Sequence, residues 1–130
     1  MYHITDGNTN IKISDGTILT LKDTDKTIDA SILNSPVEVK PVKIGDSDDV
    51  KVEDKVVIIS APKGKDDTVT YATVQAPSNR GIVIWGNLNN GSSGGGVFNL
   101  SGELIGIVVS GSGYDKAFLV IPINDIRKAL

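Results

Sequence analysis

Six consecutive residues, Gly91-Ser92-Ser93-Gly94-Gly95-Gly96, concentrate the chemistry that this chain of 130 residues offers. Glycine permits left-handed and strained backbone angles, so a turn of this composition can aim several N–H groups at one point. N–H groups already aimed at a developing oxyanion lower the barrier to acyl transfer. A serine within the turn is therefore a candidate nucleophile. Two other readings fail on what surrounds the stretch. Gly/Ser linkers join domains, but strand-like residues flank this one, Gly81-Ile82-Val83-Ile84-Trp85 before it and Val97-Phe98-Asn99-Leu100 after it. A phosphate-binding P-loop requires Lys, then Ser or Thr, then a helix, and this segment continues into Val97-Phe98-Asn99.

A serine hydroxyl attacks only when a base accepts its proton, and an imidazole base needs an acidic partner to fix its tautomer. The chain contains one histidine, His3. Its carboxylates cluster at Gly45-Asp46-Ser47-Asp48-Asp49. That run lacks the glycine and final glutamate of a calcium loop and reads as a solvated turn. With no cysteine, disulfides, zinc-thiolate sites and thiol nucleophiles are excluded together. The apolar share of 39%, the charged share of 22% and a net charge of −3 describe an ordinary soluble globular chain. They give no reason to expect a nucleic-acid partner. No apolar run is long enough for a membrane span, and no basic-then-apolar signal region follows Met1.

The elements that must position these groups read as β throughout. Asn10–Ser14, Thr17–Lys22 and Thr27–Leu33 are short β-type segments. Asp15-Gly16 joins the first two as a hairpin, and Asp23-Thr24-Asp25-Lys26 supplies the next turn. Pro36 to Ile44 is an extended connector, since its prolines lack ladder donors. Six further segments follow, Lys55–Ser60, Thr68–Gln75, Gly81–Trp85, Gly95–Leu100, Leu104–Ser110 and Phe118–Ile123, separated by Gly, Pro, Asn, Asp or Ser. Short, evenly spaced strands without a helical period between them predict an antiparallel barrel or sandwich. Only the tail reads as a helix, with Asn124 as its cap, Asp125 in the first turn and Arg127 and Lys128 near the end. Asn90 and Asn99 each begin an Asn-x-Ser match, and both read as chance matches.

Gly91-Ser92-Ser93-Gly94-Gly95, followed by Val97–Leu100, the turn at Ser101-Gly102-Glu103 and Leu104-Ile105-Gly106-Ile107-Val108-Val109, resembles the nucleophile loop and its sequel in trypsin-like serine proteases. The likeness is to the bacterial HtrA-like branch in particular, whose closing strand also ends in Ile-Pro, here Ile121-Pro122. That resemblance implies an all-β fold, a trypsin-like double β-barrel with an incomplete first barrel and a short C-terminal helix. Residues 1–44 would form the incomplete first barrel and 45–130 the second, six-stranded one with the helix. It implies a serine endopeptidase with Ser93 as nucleophile, His3 as general base and Asp29, in Ile28-Asp29-Ala30-Ser31-Ile32-Leu33, as the residue that orients it. The N–H groups of Gly91 and Ser93 match the family's oxyanion-hole donors. Val109, Ser110 and Gly111 match the strand edge that pairs with a polypeptide substrate, and Asn87, Leu88 and Phe118 the first specificity pocket. No metal and no cofactor is implied, and an exported or periplasmic location follows from the resemblance alone.

The chain departs from the pattern in four places. Ser92 stands where the family commonly has Asp or Asn, Gly96 where it usually has Pro, and Phe118 where it commonly carries a small residue on the pocket wall. The pocket then reads as shallow, favouring small apolar side chains. Two residues precede His3 where the family has two strands. Exposed strand edges at such a gap imply pairing with a second copy or strand exchange. An alternative alignment of Ile13–Thr20 with the strand before the catalytic histidine would put Asp23 in its place, but leaves too few residues before Asp29. The competing reading of the chain is a non-catalytic peptide-binding module, or an inactive protease fragment, that keeps the groove without turnover.

Overall fold

The computed structural model describes residues 7, 10–13, 15–61, 67–78, 81–88, 91–112 and 116–130. The chain divides into two compact units, Met1–Pro41 with Ile126–Leu130, and Val42–Asp125. The all-β architecture with one short helix near the C-terminus is as the sequence implies.

The first unit contains β1 (Asn10–Lys12), β2 (Ile18–Asp25) and β3 (Ala30–Asn34), an antiparallel sheet in the order β1-β2-β3. Its first reversal is the expected one at Asp15-Gly16. Gly16 adopts φ 90°, its N–H donates to the Ile13 carbonyl, and the Asp15 carboxylate accepts the Thr17 N–H at 2.8 Å. The second reversal lies later than the sequence suggested, at Lys26–Asp29, because β2 continues through Asp23-Thr24-Asp25. Its cause is local: one oxygen of Asp25 accepts the Thr27 N–H at 2.8 Å, the Thr27 hydroxyl and the Ile28 N–H at 3.4 Å. Aspartate side chains that bind backbone two residues onward favour turns over continued strand. Asp29 closes this turn at φ 55° instead of lying within a strand, a conformation that Asp and Asn tolerate better than most side chains.

The second unit is built on β4 (Lys55–Ser60), β5 (Thr68–Ser78), β6 (Gly81–Gly86), β7 (Gly96–Phe98), β8 (Leu104–Ser112) and β9 (Ala117–Pro122). They close into an antiparallel barrel in the order β4-β5-β6-β9-β8-β7. Period-two alternation sends Val56 and Ile58, Ala72 and Val74, Ile82 and Ile84, and Phe118 and Val120 into one core, with Val97 and Val108 from β7 and β8. Burying each large aliphatic side chain contributes about 1.5–3 kcal/mol. The barrel is narrow where β8 meets β9. A Cβ on Gly106 would lie 2.4 Å from a methyl of Val120 and 2.6 Å from the Ile121 carbonyl oxygen.

Before the barrel the connector is irregular through Lys43, and Ile44 forms a parallel bridge with Leu104. A 3₁₀ turn at Ser47–Asp49 follows, with the Asp46 carboxylate accepting the Asp48 N–H at 3.0 Å. That turn also caps the helix α1 (Ile123–Ala129). Asn124 stands inside α1 and does not cap it as expected. Its N–H donates to the Ser47 hydroxyl at 3.1 Å, its side-chain oxygen accepts the Ser47 N–H at 3.4 Å, and its amide nitrogen donates to Asp46 at 2.7 Å. The capping oxygen is thus supplied by a segment 77 residues earlier. Sequence pattern carries no sign of such a distant partner.

The hydrogen bonds from the Thr27 hydroxyl and N–H hold the Asp25 carboxyl below its ordinary value of 3.8. A carboxylate whose pKa falls on folding contributes stability that is present above the unfolded value and lost as pH falls through the lower folded one. Asp25→Ala is therefore expected to destabilise the chain at pH 7 and to reduce the loss of stability on acidification below pH 3.8. Urea midpoints for both chains from pH 6 to pH 2 check this, and parallel acid limbs would refute it.

Candidate functional site

The glycine-rich turn is held by its own backbone and by β8. The Ser92 carbonyl accepts the Gly95 N–H at 2.9 Å, and Gly94 sits between them at φ 90°. A positive φ at the third position of a four-residue turn is the type II requirement that glycine meets without strain. Gly94 N–H then donates to the Val108 carbonyl at 2.7 Å, and Val108 N–H donates to the Gly95 carbonyl at 2.9 Å. Beneath the turn the fit is tight. A Cβ on Gly95 would stand 2.9 Å from the Ser60 Cβ and 3.0 Å from the Ile59 and Ser92 carbonyl oxygens. Ser92 is buried, with its hydroxyl 3.5 Å from that of Ser60.

Ser93 projects the other way and is half-buried. Its hydroxyl donates to the Val109 carbonyl at 2.7 Å. That carbonyl is available because β8 bulges: Val108 pairs with Val120 and Ser110 with the adjacent Leu119, leaving Val109 as an extra residue. A bulge of this kind re-aims groups out of the ladder. Gly91 adopts φ 90°. Among the described residues, no acceptor meets the N–H of Gly91 or of Ser93.

Beside Ser93 lies a cavity of about 80 Å³. The turn contributes Gly91, Ser92 and Ser93 to its wall. Val108, Ser110 and Gly111 of β8 and Phe118 of β9 complete it. The structure thus brings together Gly91, Ser93, Ser110, Gly111 and Phe118, with Val109 joined through its carbonyl. Asn87 and Leu88 are not in the cavity wall. Asn87 is exposed and Leu88 is packed in the barrel core at 6% exposure. Asp29 belongs to the three-stranded unit, half-buried at the end of its turn. His3 and Asn90 lie outside the described residues.

Ser60 and Val108 were not singled out in the sequence. Ser60 carried a readable sign, being a hydroxyl at an inward position of an otherwise apolar alternating strand. Val108 carried none, since its role is made by backbone hydrogen bonds.

The hairpin between β7 and β8 is fastened from outside the cavity. The Asn99 side-chain oxygen accepts the Ser101 and Glu103 N–H groups at 3.0 and 2.9 Å, while its amide nitrogen donates to Glu103 Oε1 at 2.9 Å. That amide bond, and then Lys43 Nζ at 3.1 Å, hold the Glu103 carboxyl below its ordinary range. Both polar atoms of the Asn99 amide are thus bonded within the turn.

A closed six-stranded barrel, an open sheet and a Gly-x-Ser-Gly-Gly turn beside a small cavity are features of the trypsin-like peptidase fold. The chain belongs to that family, matching the trypsin-like peptidase domain over residues 4–107. It is 35% identical over 120 residues to the periplasmic serine endoprotease DegP of Escherichia coli K12, covering 81% of this chain and 25% of that protein. To the periplasmic pH-dependent serine endoprotease DegQ of the same organism it is 32% identical over 108 residues, covering 73% and 24%. The solved HtrA-type protease AlgW with a decapeptide superimposes with a TM-score of 0.83 at 26% identity, covering 98% of this chain and 45% of that one. The chain therefore spans about a quarter of these curated relatives and under half of the solved structure.

Because a Cβ at Gly95 meets β4 backbone and the Ser60 Cβ, Gly95→Ala is expected to cost about 1–3 kcal/mol through overpacking. Urea denaturation reads it directly, and an unchanged midpoint would show that β4 yields without cost.

Proposed function

We propose that this chain supplies the catalytic domain of an HtrA-type serine endopeptidase. Ser93 attacks the scissile carbonyl, His3 accepts its proton and returns it to the leaving amine, and Asp29 holds His3 in the right tautomer. An acyl-enzyme on Ser93 follows, which water then hydrolyses. The N–H groups of Gly91 and Ser93 stabilise the tetrahedral oxyanion; each such donor is worth about 10²–10³ in rate. The edge of β8 at Val109, Ser110 and Gly111 pairs with an extended polypeptide substrate. The observation that carries this reading is Ser93 at the rim of a cavity, in a turn whose Gly91 and Ser93 N–H groups have no acceptor among the described residues.

The proposed chemistry needs neither metal nor cofactor. Relatives named as periplasmic support an exported location. Residues 1–44 and 45–130 correspond in this reading to the two barrels of the family. β1 and β3 are the edges of the open sheet, and unpaired edges are templates for another strand. A dimer through that sheet is expected in light scattering, and a monodisperse monomer would count against it.

One observation favours a second reading, a peptide-binding module without turnover. The Ser93 hydroxyl donates to a carbonyl, which cannot remove its proton, so attack requires it to turn towards a base. A fluorophosphonate probe separates the readings, because it labels a serine only when a base and an oxyanion hole are assembled around it. Labelling of the parent chain is expected, with loss in Ser93→Ala and at least a hundredfold slowing in His3→Ala. A folded parent that binds peptide but takes no label would establish the module.

A further inference from the structure

Resting on the endopeptidase reading, we propose that Ser60, the last residue of β4, is a positioning residue for the Ser93 N–H. It supports the peptide unit that carries this oxyanion donor, so that the donor is aimed before a substrate arrives.

Ser60 breaks the pattern of its own strand. Period-two alternation turns Val56, Ile58 and Ser60 inward. The first two are core residues, whereas the third is a buried hydroxyl. Local departures of this kind concentrate where function overrides packing. Among the described residues the Ser60 hydroxyl makes one hydrogen bond, to the buried Ser92 hydroxyl at 3.5 Å. That contact is longer than an ordinary hydroxyl pair, but a buried hydroxyl deprived of its partner carries a desolvation penalty. The pair therefore favours keeping Ser92 close to the end of β4.

The geometry of one peptide gives that contact its consequence. The unit joining Ser92 to Ser93 is trans, so its carbonyl and its N–H point in opposite directions. The carbonyl accepts the Gly95 N–H at 2.9 Å, and the N–H on the other side is that of Ser93. The direction of the donor is thus set by where Ser92 and Gly95 stand, and Ser60 meets both. Its Cβ is what a Cβ on Gly95 would approach to 2.9 Å. Ser60 is itself held, pairing with Thr68 of β5, while its neighbour Ile59 pairs with both Val69 and Gly96. Val108 fastens Gly94 and Gly95 from β8, yet neither of those bonds reaches Ser92. Support from β4 complements them at the residue that precedes the nucleophile.

The test uses the parent chain, Ser60→Ala, the milder Ser60→Cys, Ser92→Ala and the Ser60→Ala/Ser92→Ala double variant, each first shown to be folded by circular dichroism and a cooperative melt. An oxyanion donor acts in the transition state and not in substrate binding. Ser60→Ala is therefore expected to lower kcat for a peptide substrate about tenfold with KM within about twofold of the parent, and to slow fluorophosphonate labelling of Ser93 by a similar factor. Ser60→Cys, which keeps a weak donor, should lose less. In the Ser92→Ala background the Ser60→Ala change should slow labelling less than about twofold, since its partner is already gone. Deuterium exchange of the Gly95 N–H supplies a readout that needs no catalysis. It should be at least tenfold faster in Ser60→Ala, while the Val74 N–H, bonded to the Asp54 carbonyl at the other end of the β4–β5 ladder, keeps its rate. A lower melting temperature with unchanged labelling would show that Ser60 serves stability alone, and overturns the proposal. So does equal slowing by Ser60→Ala in both backgrounds, or a raised KM with kcat unchanged. Absence of Ser93 labelling in the parent would instead sink the endopeptidase reading, and the Gly95 exchange would then decide the role of Ser60 alone.

Discussion

The two hydrogen bonds that Val108 exchanges with Gly94 and Gly95, at 2.7 and 2.9 Å, are the constraint on which the candidate site depends. They fasten a turn with no regular structure of its own to a central strand of a closed barrel. A glycine-rich loop left to itself would sample many conformations, and fixing each residue costs about 1–2 kcal/mol. Here that cost is offset by backbone bonds on one side and by close packing against β4 on the other, where Gly95 leaves no room for a Cβ over Ser60. The turn inherits the rigidity of the barrel, as a site needing sub-ångström placement requires.

Val108 also sets what comes next on β8. Immediately after it the strand bulges at Val109, so one carbonyl leaves the ladder and accepts the Ser93 hydroxyl. One strand thereby holds the turn from behind through Val108, touches its hydroxyl through Val109 and lines the cavity with Ser110 and Gly111. Closure of the barrel is what makes this possible. With β8 paired on both sides, by β7 and β9, a local irregularity at Val109 re-aims one group without loosening its neighbours.

The parts of this arrangement that could be read in advance are those written in local pattern. Alternating apolar residues bounded by Gly, Asn and Asp located all six barrel strands, and Asp15-Gly16 located the first hairpin. The Gly-x-Ser-Gly-Gly turn stood out by composition alone. What escaped was non-local. Asn124 looked like a helix cap because Asn favours that position, yet its side chain reaches Asp46 and Ser47, which no window of neighbouring residues contains. Leu88, matched to a pocket by the resemblance, is packed in the barrel core, a burial that its neighbours in sequence do not announce. The turn after β2 moved by three residues because one carboxylate, Asp25, gathers three donors, a competition between turn and strand that propensity does not resolve.

The departures from the family pattern around the turn are better understood together than singly. Where the resemblance implies an acidic or amide side chain, this chain has Ser92, whose hydroxyl lies 3.5 Å from that of Ser60. Where the resemblance implies proline, Gly96 pairs with Ile59 and Ile107 and lies against the Phe98 ring, which a Cβ would approach to 2.9 Å. Where the resemblance implies a small residue, the Phe118 ring lies against Gly111. Each of the three sits among its immediate neighbours while the backbone bonds that join Gly94 and Gly95 to Val108 hold the turn in place.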